Sequence, residues 1–130
     1  TGRLAFAAAR DALRVYASEP CDRLREYMRD RIAKSGITNM KVLDGTATCL
    51  PYEDATFGAV LSGHVVGDDY EGELREMRRV TRPGGWLVVC NGDDGFRRTR
   101  PDPELIRRGF EAFRHESPSG GVIFNYRLRV

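Results

Sequence analysis

Residues 57–90 read FGAVLSGHVVGDDYEGELREMRRVTRPGGWLVVC, and this stretch decides the fold class. It begins with an almost continuously apolar run at residues 57–63, which is typical of a strand covered on both faces. Helical periodicity follows over residues 70–81. A Pro-Gly-Gly turn at residues 83–85 then leads into a second buried strand at residues 86–90. Strand, helix and strand in this order predict a βαβ unit of a parallel sheet.

The segments around this stretch extend the same alternation. The other predicted helices lie at residues 3–13, 20–35 and 102–114, the last with Leu105, Ile106, Phe110 and Phe113 facing inward. The other predicted strands lie at residues 14–18, 40–44, 113–117 and 122–129, the last two forming an antiparallel hairpin. The order α-β-α-β-β-α-β-α-β-β predicts an α/β fold, with a doubly wound, mostly parallel sheet and an antiparallel C-terminal hairpin.

Composition excludes several classes of protein. The 130 residues suit one globular domain, and no apolar stretch approaches the roughly 20 residues that cross a bilayer. The 21 Lys and Arg against 19 Asp and Glu are too balanced to indicate a nucleic-acid partner. Three cysteines without a C-x-x-C spacing argue against a disulfide framework or a zinc site, and the chain starts without a signal-peptide pattern. A reducing, cytoplasmic setting is therefore expected; no oligomeric state follows.

Ligands of open α/β sheets bind outside the carboxyl ends of the strands, and polar or small residues occupy those places here. Gly2 precedes the first helix, where a glycine lets backbone approach a ligand, although a plain loop residue fits equally. Glu19 follows the strand at residues 14–18, where a carboxylate can accept hydrogen bonds from both hydroxyls of a ribose. The alternative is that Glu19 complements the N-terminus of the following helix.

Two further strand ends carry candidates. Residues 44–47 (DGTA) could read an adenine edge, or could form a simple turn. Residues 62–64 (SGH) combine a glycine that permits close approach with one of the two histidines of the chain. Histidine is a frequent general base in enzymes, so His64 is either a general base or a structural residue.

Other conspicuous residues have simpler interpretations, and no metal site is predicted. Asp68 or Asp69 fits the N-cap of the following helix, with Glu71 in its first turn. The remaining interpretations are an ordinary turn at residues 91–94, a solvated surface at Arg97, Arg98 and Arg100, and small buried hydrophobes at Cys49 and Cys90.

Residues 42–63 and 73–89 together resemble a class I S-adenosylmethionine-dependent methyltransferase, of the small-molecule and quinone-biosynthesis type. The segments LPY at residues 50–52, DATF at 54–57 and RVTRPGG at 79–85 match the family pattern in order and spacing. The resemblance covers essentially the whole chain. It implies a Rossmann-like fold, S-adenosylmethionine as cofactor and a small-molecule methyl acceptor.

The resemblance also implies a role for each candidate residue. It places Gly2 against the methionine part of the cofactor, Glu19 on the ribose hydroxyls, Pro20 beside the adenine, Thr46 and Ala47 at the adenine edge, and Ser62, Gly63 and His64 at the methionine and sulfonium end. His64 is the candidate general base. The turn at residues 83–85 shapes the fold and should not contact the cofactor.

Three departures from the family pattern stand out. Thr46 replaces the usual aspartate, so the carboxylate that meets the adenine amino group is absent unless Asp44 substitutes. Gly58 replaces an aspartate after Phe57. The first strand and the earlier glycines of the Gly-rich loop are missing, so residues 1–130 are expected to be a single methyltransferase-like domain lacking both. That strand is central in the family fold, and its absence would leave backbone groups unpaired at about 1–3 kcal/mol each.

Two other functions remain open. An NAD-type nucleotide-binding oxidoreductase would share the fold, but the LPY and RPGG segments have no role in hydride transfer. A catalytically silent methyltransferase-like scaffold would be consistent with Thr46 and the missing glycines. Binding of S-adenosylhomocysteine, of NAD or of neither distinguishes the three.

Overall fold

A computed structural model describes residues 2–90, 100–118 and 120–130 of the chain. It divides into two compact units, Thr1–Pro51 and Tyr52–Val130. The predictions for the turn at residues 91–94 and for Arg97 and Arg98 lie outside the described residues. No helix in the described ranges is long and apolar enough to span a membrane.

The first unit is a two-stranded parallel sheet with two helices. Its elements are α1 (Arg3–Ala8), β1 (Val15–Ser18), α2 (Asp22–Lys34) and β2 (Met40–Leu43). β1 pairs with β2 from Val15 opposite Met40 to Ser18 opposite Leu43. Its apolar core consists of Phe6, Ala17, Met28, Met40 and Val42.

Both helices of the first unit differ from the predicted bounds. α1 ends at Ala8 and continues as hydrogen-bonded turns, and the side-chain amide of Asn39 donates to the carbonyl oxygens of Ala9 (2.9 Å) and Ala12 (2.8 Å). The prediction to residue 13 was wrong because this amide binds carbonyls there, whereas helix propensity is only a local preference. α2 begins at Asp22, after an extended Cys21, so Pro20 precedes the helix.

The second unit is a four-stranded mixed sheet. Its elements are β3 (Phe57–Gly63), α3 (Tyr70–Val80), β4 (Thr81–Cys90), α4 (Pro103–Arg107), β5 (Glu111–Glu116) and β6 (Val122–Arg129). The strand order is β3-β4-β6-β5, with β3 parallel to β4 and the other neighbours antiparallel. The element order and the antiparallel C-terminal hairpin agree with the prediction. That the chain is a single domain lacking a central strand stays a prediction.

One face of this sheet carries the core of the second unit. The buried core residues are Val66, Leu74, Met77, Leu87, Val89, Leu105, Phe110 and Tyr126, and Val60 of β3 packs against them. The Asp69 carboxylate accepts from the Gly72 N–H (3.0 Å), which confirms the predicted cap of α3. Leu61 points to the other face and is 43% exposed, so burial of β3 on both faces was wrong.

The prediction of a helix over residues 102–114 was wrong beyond Arg107. Gly109 has a left-handed φ of +88°, which ends the helix, and the chain then enters β5 and pairs with β6. Leu105 and Phe110 are buried as predicted, whereas Ile106 and Phe113 are exposed. Pairing with β6 therefore makes residues 111–116 a strand, although their apolar spacing favours a helix.

Arg79 joins the two segments that carry the family resemblance. Its guanidinium donates to the Tyr52 carbonyl oxygen (2.7 Å) and to the Asp54 carboxylate (2.9 Å). The backbone N–H groups of Ala55 and Thr56 donate to the carbonyl oxygens of Arg79 (2.8 Å) and Val80 (2.9 Å). These contacts give the LPY, DATF and RVTRPGG segments a structural role in holding the chain before β3 against the end of α3.

The Pro-Gly-Gly turn lies inside β4, where the pairing with β3 shifts register between Phe57 and Ala59. Gly84 has φ +79°, as the third residue of a type II turn requires. A Cβ at position 85 would lie 2.8 Å from the Gly58 carbonyl oxygen and 2.9 Å from that of Arg82. Glycine is required at position 85 because these two oxygens belong to the backbone and cannot move aside as a flexible side chain could.

We expect Gly85→Ala to lower the free energy of unfolding by about 1–3 kcal/mol, since a methyl group there must displace backbone. Chemical denaturation of the variant and the unsubstituted protein measures the difference. Gly58→Ala is the matched control, because a Cβ at position 58 meets no atom within 4 Å. Equal unfolding midpoints for the two variants would contradict this explanation of the turn.

Candidate functional site

The candidates of the first unit lie in the two loops that follow β1 and β2. The Glu19 N–H donates to the Leu43 carbonyl oxygen (3.1 Å), so the loop after β1 begins beside the end of β2. Glu19 Oε1 accepts from the Cys21 N–H (3.0 Å) at the start of α2. In the described residues, the other carboxylate oxygen makes no hydrogen bond. Glu19 therefore complements the helix with one oxygen and keeps a second acceptor.

The loop after β2 is closed by its own backbone. Thr46 and Cys49 exchange two backbone hydrogen bonds of 3.2 and 3.1 Å, and the hydroxyls of Thr46 and Thr48 share a contact of 3.3 Å. A Cβ at Gly45 would lie 2.6 Å from Cδ of Pro51. Thr46 is exposed and Ala47 half-buried, so this turn presents a hydroxyl where the family pattern has a carboxylate.

A buried arginine, which the sequence analysis did not identify, lies beneath both loops. Arg25 Nη1 donates to the Glu19 carbonyl oxygen (2.8 Å) and to Asp44 Oδ1 (3.0 Å), and Nη2 pairs with Asp22. Asp44 is thus already paired within the protein. The spacing of Asp22 and Arg25 three residues apart on a helix could have indicated the ion pair, but not the contacts to the loops.

Gly2 adopts a left-handed conformation (φ +69°) at the N-cap of α1. A Cβ there would lie 2.8 Å from the Met28 Cε and 3.0 Å from the Phe6 ring. The left-handed conformation favours glycine, so a structural reason for this residue stands beside the predicted approach to a ligand.

The candidates of the second unit follow one another at the end of β3. Ser62 Oγ is buried and has no hydrogen-bond partner among the described residues. His64 is exposed and has φ +59°, which is uncommon for a residue other than glycine, and its N–H donates to the Cys90 carbonyl oxygen (2.9 Å). An unpartnered buried hydroxyl and a strained backbone are both features of binding sites.

Cys49 and Cys90, both interpreted from the sequence as small buried hydrophobes, differ in environment. Cys90 is half-buried at the end of β4, and burial raises the pKa of its thiol, so it remains protonated at neutral pH and is a poor nucleophile. Cys49 is exposed, so the prediction of a buried hydrophobe there was wrong. The hydrogen-bonded turn from Thr46 to Cys49 leaves its side chain at the surface.

The structure therefore forms two groups, one in each unit. Glu19, Pro20, Thr46 and Ala47 lie in the loops at the carboxyl ends of the paired strands β1 and β2. Ser62, Gly63 and His64 lie at the carboxyl end of β3. These ends are where ligands bind in sheets of this class.

Comparison with known proteins identifies the family. A family model described as a methyltransferase domain matches residues 1–89. Demethylmenaquinone methyltransferase from Shouchella clausii is 40% identical over 99 residues, which are 74% of this chain and 40% of that protein. The chain matches less than half of the length of such curated relatives. The chain belongs to the methyltransferase domain family.

Solved structures support the same fold. A SAM-dependent methyltransferase from Aquifex aeolicus has a TM-score of 0.67 at 20% identity, over 90% of this chain and 69% of that one. One from Methanosarcina mazei has a TM-score of 0.72 at 13% identity, over 98% of this chain and 87% of that one. The resemblance to class I S-adenosylmethionine-dependent methyltransferases of the quinone-biosynthesis type is confirmed, and so is the Rossmann-like fold.

Each unit separately offers groups of the kind that S-adenosylmethionine needs. Among the described residues of the first unit, one Glu19 carboxylate oxygen makes no hydrogen bond, and Gly2 leaves the start of α1 without a side chain. In the second unit, Ser62 Oγ is buried without a hydrogen-bond partner among the described residues. Thr46 departs from the family pattern, because it offers a hydroxyl in place of a carboxylate.

Proposed function

We propose that this chain binds S-adenosylmethionine and takes part in methyl transfer to a small, demethylated quinone-type acceptor in the cytoplasm. The observation that carries the proposal is the position of Glu19, whose carboxylate lies at the carboxyl end of β1 beside the loop at residues 44–47. Membership of the methyltransferase family and the name of the Shouchella clausii relative support the class of reaction and of acceptor.

The protein's part in the reaction is binding and alignment. S-adenosylmethionine, when bound, supplies a methyl carbon that its sulfonium has already activated. Glu19 would hold the ribose through its carboxylate, and the hydroxyl of Thr46 would meet the adenine edge, since the Thr46 backbone is hydrogen-bonded to that of Cys49. Ser62 holds the methionine end through its hydroxyl. Fixing the acceptor in line with the methyl group lowers the entropy cost of bringing the two together. This alignment contributes more to the rate than the general base does.

His64 is proposed as the general base. Its imidazole takes the proton that the accepting atom loses as the new bond to carbon forms, and S-adenosylhomocysteine is the other product. An exposed imidazole at the end of β3 can pass that proton to water.

Equilibrium binding separates this proposal from its alternatives. Titration calorimetry of the intact protein is expected to show saturable binding of S-adenosylhomocysteine and none of NAD. Binding of NAD alone would favour the oxidoreductase, and binding of neither would favour a silent scaffold. Either result would overturn the proposed function.

A further inference from the structure

We propose that Arg25 is a positioning residue, which holds the ribose loop and the adenine loop at a fixed spacing and thereby sets the affinity for the adenosine part of the cofactor. Here the ribose loop is residues 19–21 and the adenine loop is residues 44–49. The inference rests on the proposed function and deepens it.

The first argument is the burial of the guanidinium. The Arg25 side chain is only 11% exposed, whereas those of its partners Asp22 and Asp44 are 84% and 73% exposed. A charge withdrawn from water is costly unless it is paired and hydrogen-bonded. The exposed carboxylates of Asp22 and Asp44 pair with the guanidinium from the solvent side. The guanidinium also donates to the backbone carbonyl oxygen of Glu19.

The second argument is that a single atom joins the two loops. Arg25 Nη1 donates both to the Glu19 carbonyl oxygen (2.8 Å) and to Asp44 Oδ1 (3.0 Å). Glu19 follows β1 and Asp44 follows β2, so this nitrogen sets the distance between the two strand ends beyond the last backbone pairing. The guanidinium fork is planar and rigid, and a lysine ammonium cannot reproduce its geometry.

The third argument is the contrast with Arg29, one turn further along α2. Arg29 is exposed, and its Nη2 donates to the Val42 carbonyl oxygen (2.9 Å) inside β2. Arg29 therefore joins α2 to β2 without contacting the ribose loop or the adenine loop. This makes it a matched control for the loss of an arginine contact between α2 and β2.

The test compares Arg25→Lys with Arg29→Lys in the intact protein, using S-adenosylhomocysteine and adenosine as probes in calorimetry. We expect Arg25→Lys to weaken both ligands by the same factor, about 10-fold, which corresponds to one lost charge-assisted contact. Arg29→Lys should leave both affinities within about 2-fold, because one exposed contact contributes little. If the two affinities fall by the same factor, the loss comes from the adenosine group, which both ligands contain.

Amide hydrogen exchange provides a readout that a general loss of stability would not produce. Arg25→Lys is expected to accelerate exchange in the ribose and adenine loops, while α1 and the core of the first unit stay as protected as in Arg29→Lys. Unchanged affinity in a folded Arg25→Lys variant, or faster exchange throughout the first unit, would overturn the role of Arg25 alone. Absence of binding by the unsubstituted protein would instead overturn the proposed function, and the role of Arg25 with it.

Discussion

Replacing His64 by asparagine is expected to lower kcat by about 10²–10⁴-fold, which is the usual contribution of a positioned general base. Asparagine is the suitable substitution because it tolerates the left-handed backbone that His64 adopts at φ +59°, whereas its amide cannot take a proton. The affinity for S-adenosylhomocysteine should change little. Steady-state kinetics and calorimetry on the same preparation measure the two effects separately.

Equal losses of turnover and of cofactor affinity in this variant would assign His64 to packing or to cofactor contact. The N–H of residue 64 donates to the Cys90 carbonyl oxygen, and asparagine keeps that backbone contact. His64→Gly is the control for backbone strain, since glycine adopts this conformation without cost. If the rate loss came from altered backbone alone, the asparagine and glycine variants would differ.

Glu19→Gln is expected to weaken S-adenosylhomocysteine by about 10- to 100-fold, because charge-assisted hydrogen bonds to the ribose are lost at about 1–3 kcal/mol. Glutamine keeps an acceptor for the Cys21 N–H, so the start of α2 should remain intact. Calorimetry gives the affinity, and thermal unfolding shows that the fold is retained. Glu26→Gln, an exposed residue of α2, makes the same change of charge away from the loops.

Unchanged affinity in Glu19→Gln would remove Glu19 from the site. A loss of affinity that Glu26→Gln shared would indicate a general effect of net charge instead. Adding Glu19→Ala divides the two roles of this carboxylate, because alanine removes the acceptor for the helix as well as the ribose contacts. The difference in stability between the alanine and glutamine variants then measures the hydrogen bond from the Cys21 N–H to the side chain of residue 19, at about 0.5–1.5 kcal/mol.

Local patterns predicted the bounds of β3 and α3. β3 occupies residues 57–63 as predicted, and α3 ends one residue before its predicted end. In α3 the buried apolar residues Leu74, Met77 and Val80 recur at the helical period. Gly84 also has the positive φ that its turn sequence requires.

Distant contacts decided what the sequence patterns did not predict. The apolar spacing of residues 102–114 favours a helix, yet Gly109 ends it and pairing with β6 recruits the following residues. Asn39, far along the chain, binds carbonyl oxygens beyond the end of α1. Neither a strand partner nor a distant amide can be read from a local pattern.

In the candidate site, too, some features were predictable from the local sequence and others depend on distant contacts. The position of Glu19 after β1 follows from the order of strand and helix, and the structure confirms that position. The contacts of Arg25 were not predictable, because they depend on two loops that meet only after β1 and β2 have paired. The burial of Ser62 Oγ depends likewise on the packing of the second unit. The cofactor roles of the candidate residues stay predictions.

Transfer of a labelled methyl group is the most direct test of the central claim. The intact protein would be incubated with S-adenosylmethionine labelled in its methyl group and with demethylmenaquinone kept reduced by dithionite as its electron-rich quinol, which is the nucleophile. The product would be reoxidised and extracted, and the quinone would be examined for label. The account predicts labelled menaquinone and an equal amount of S-adenosylhomocysteine, both suppressed in the Glu19→Gln and His64→Asn variants. Unlabelled quinone from a folded protein that binds S-adenosylhomocysteine would contradict the proposed acceptor. Unlabelled quinone from a folded protein that does not bind it would contradict the assignment as a working methyltransferase.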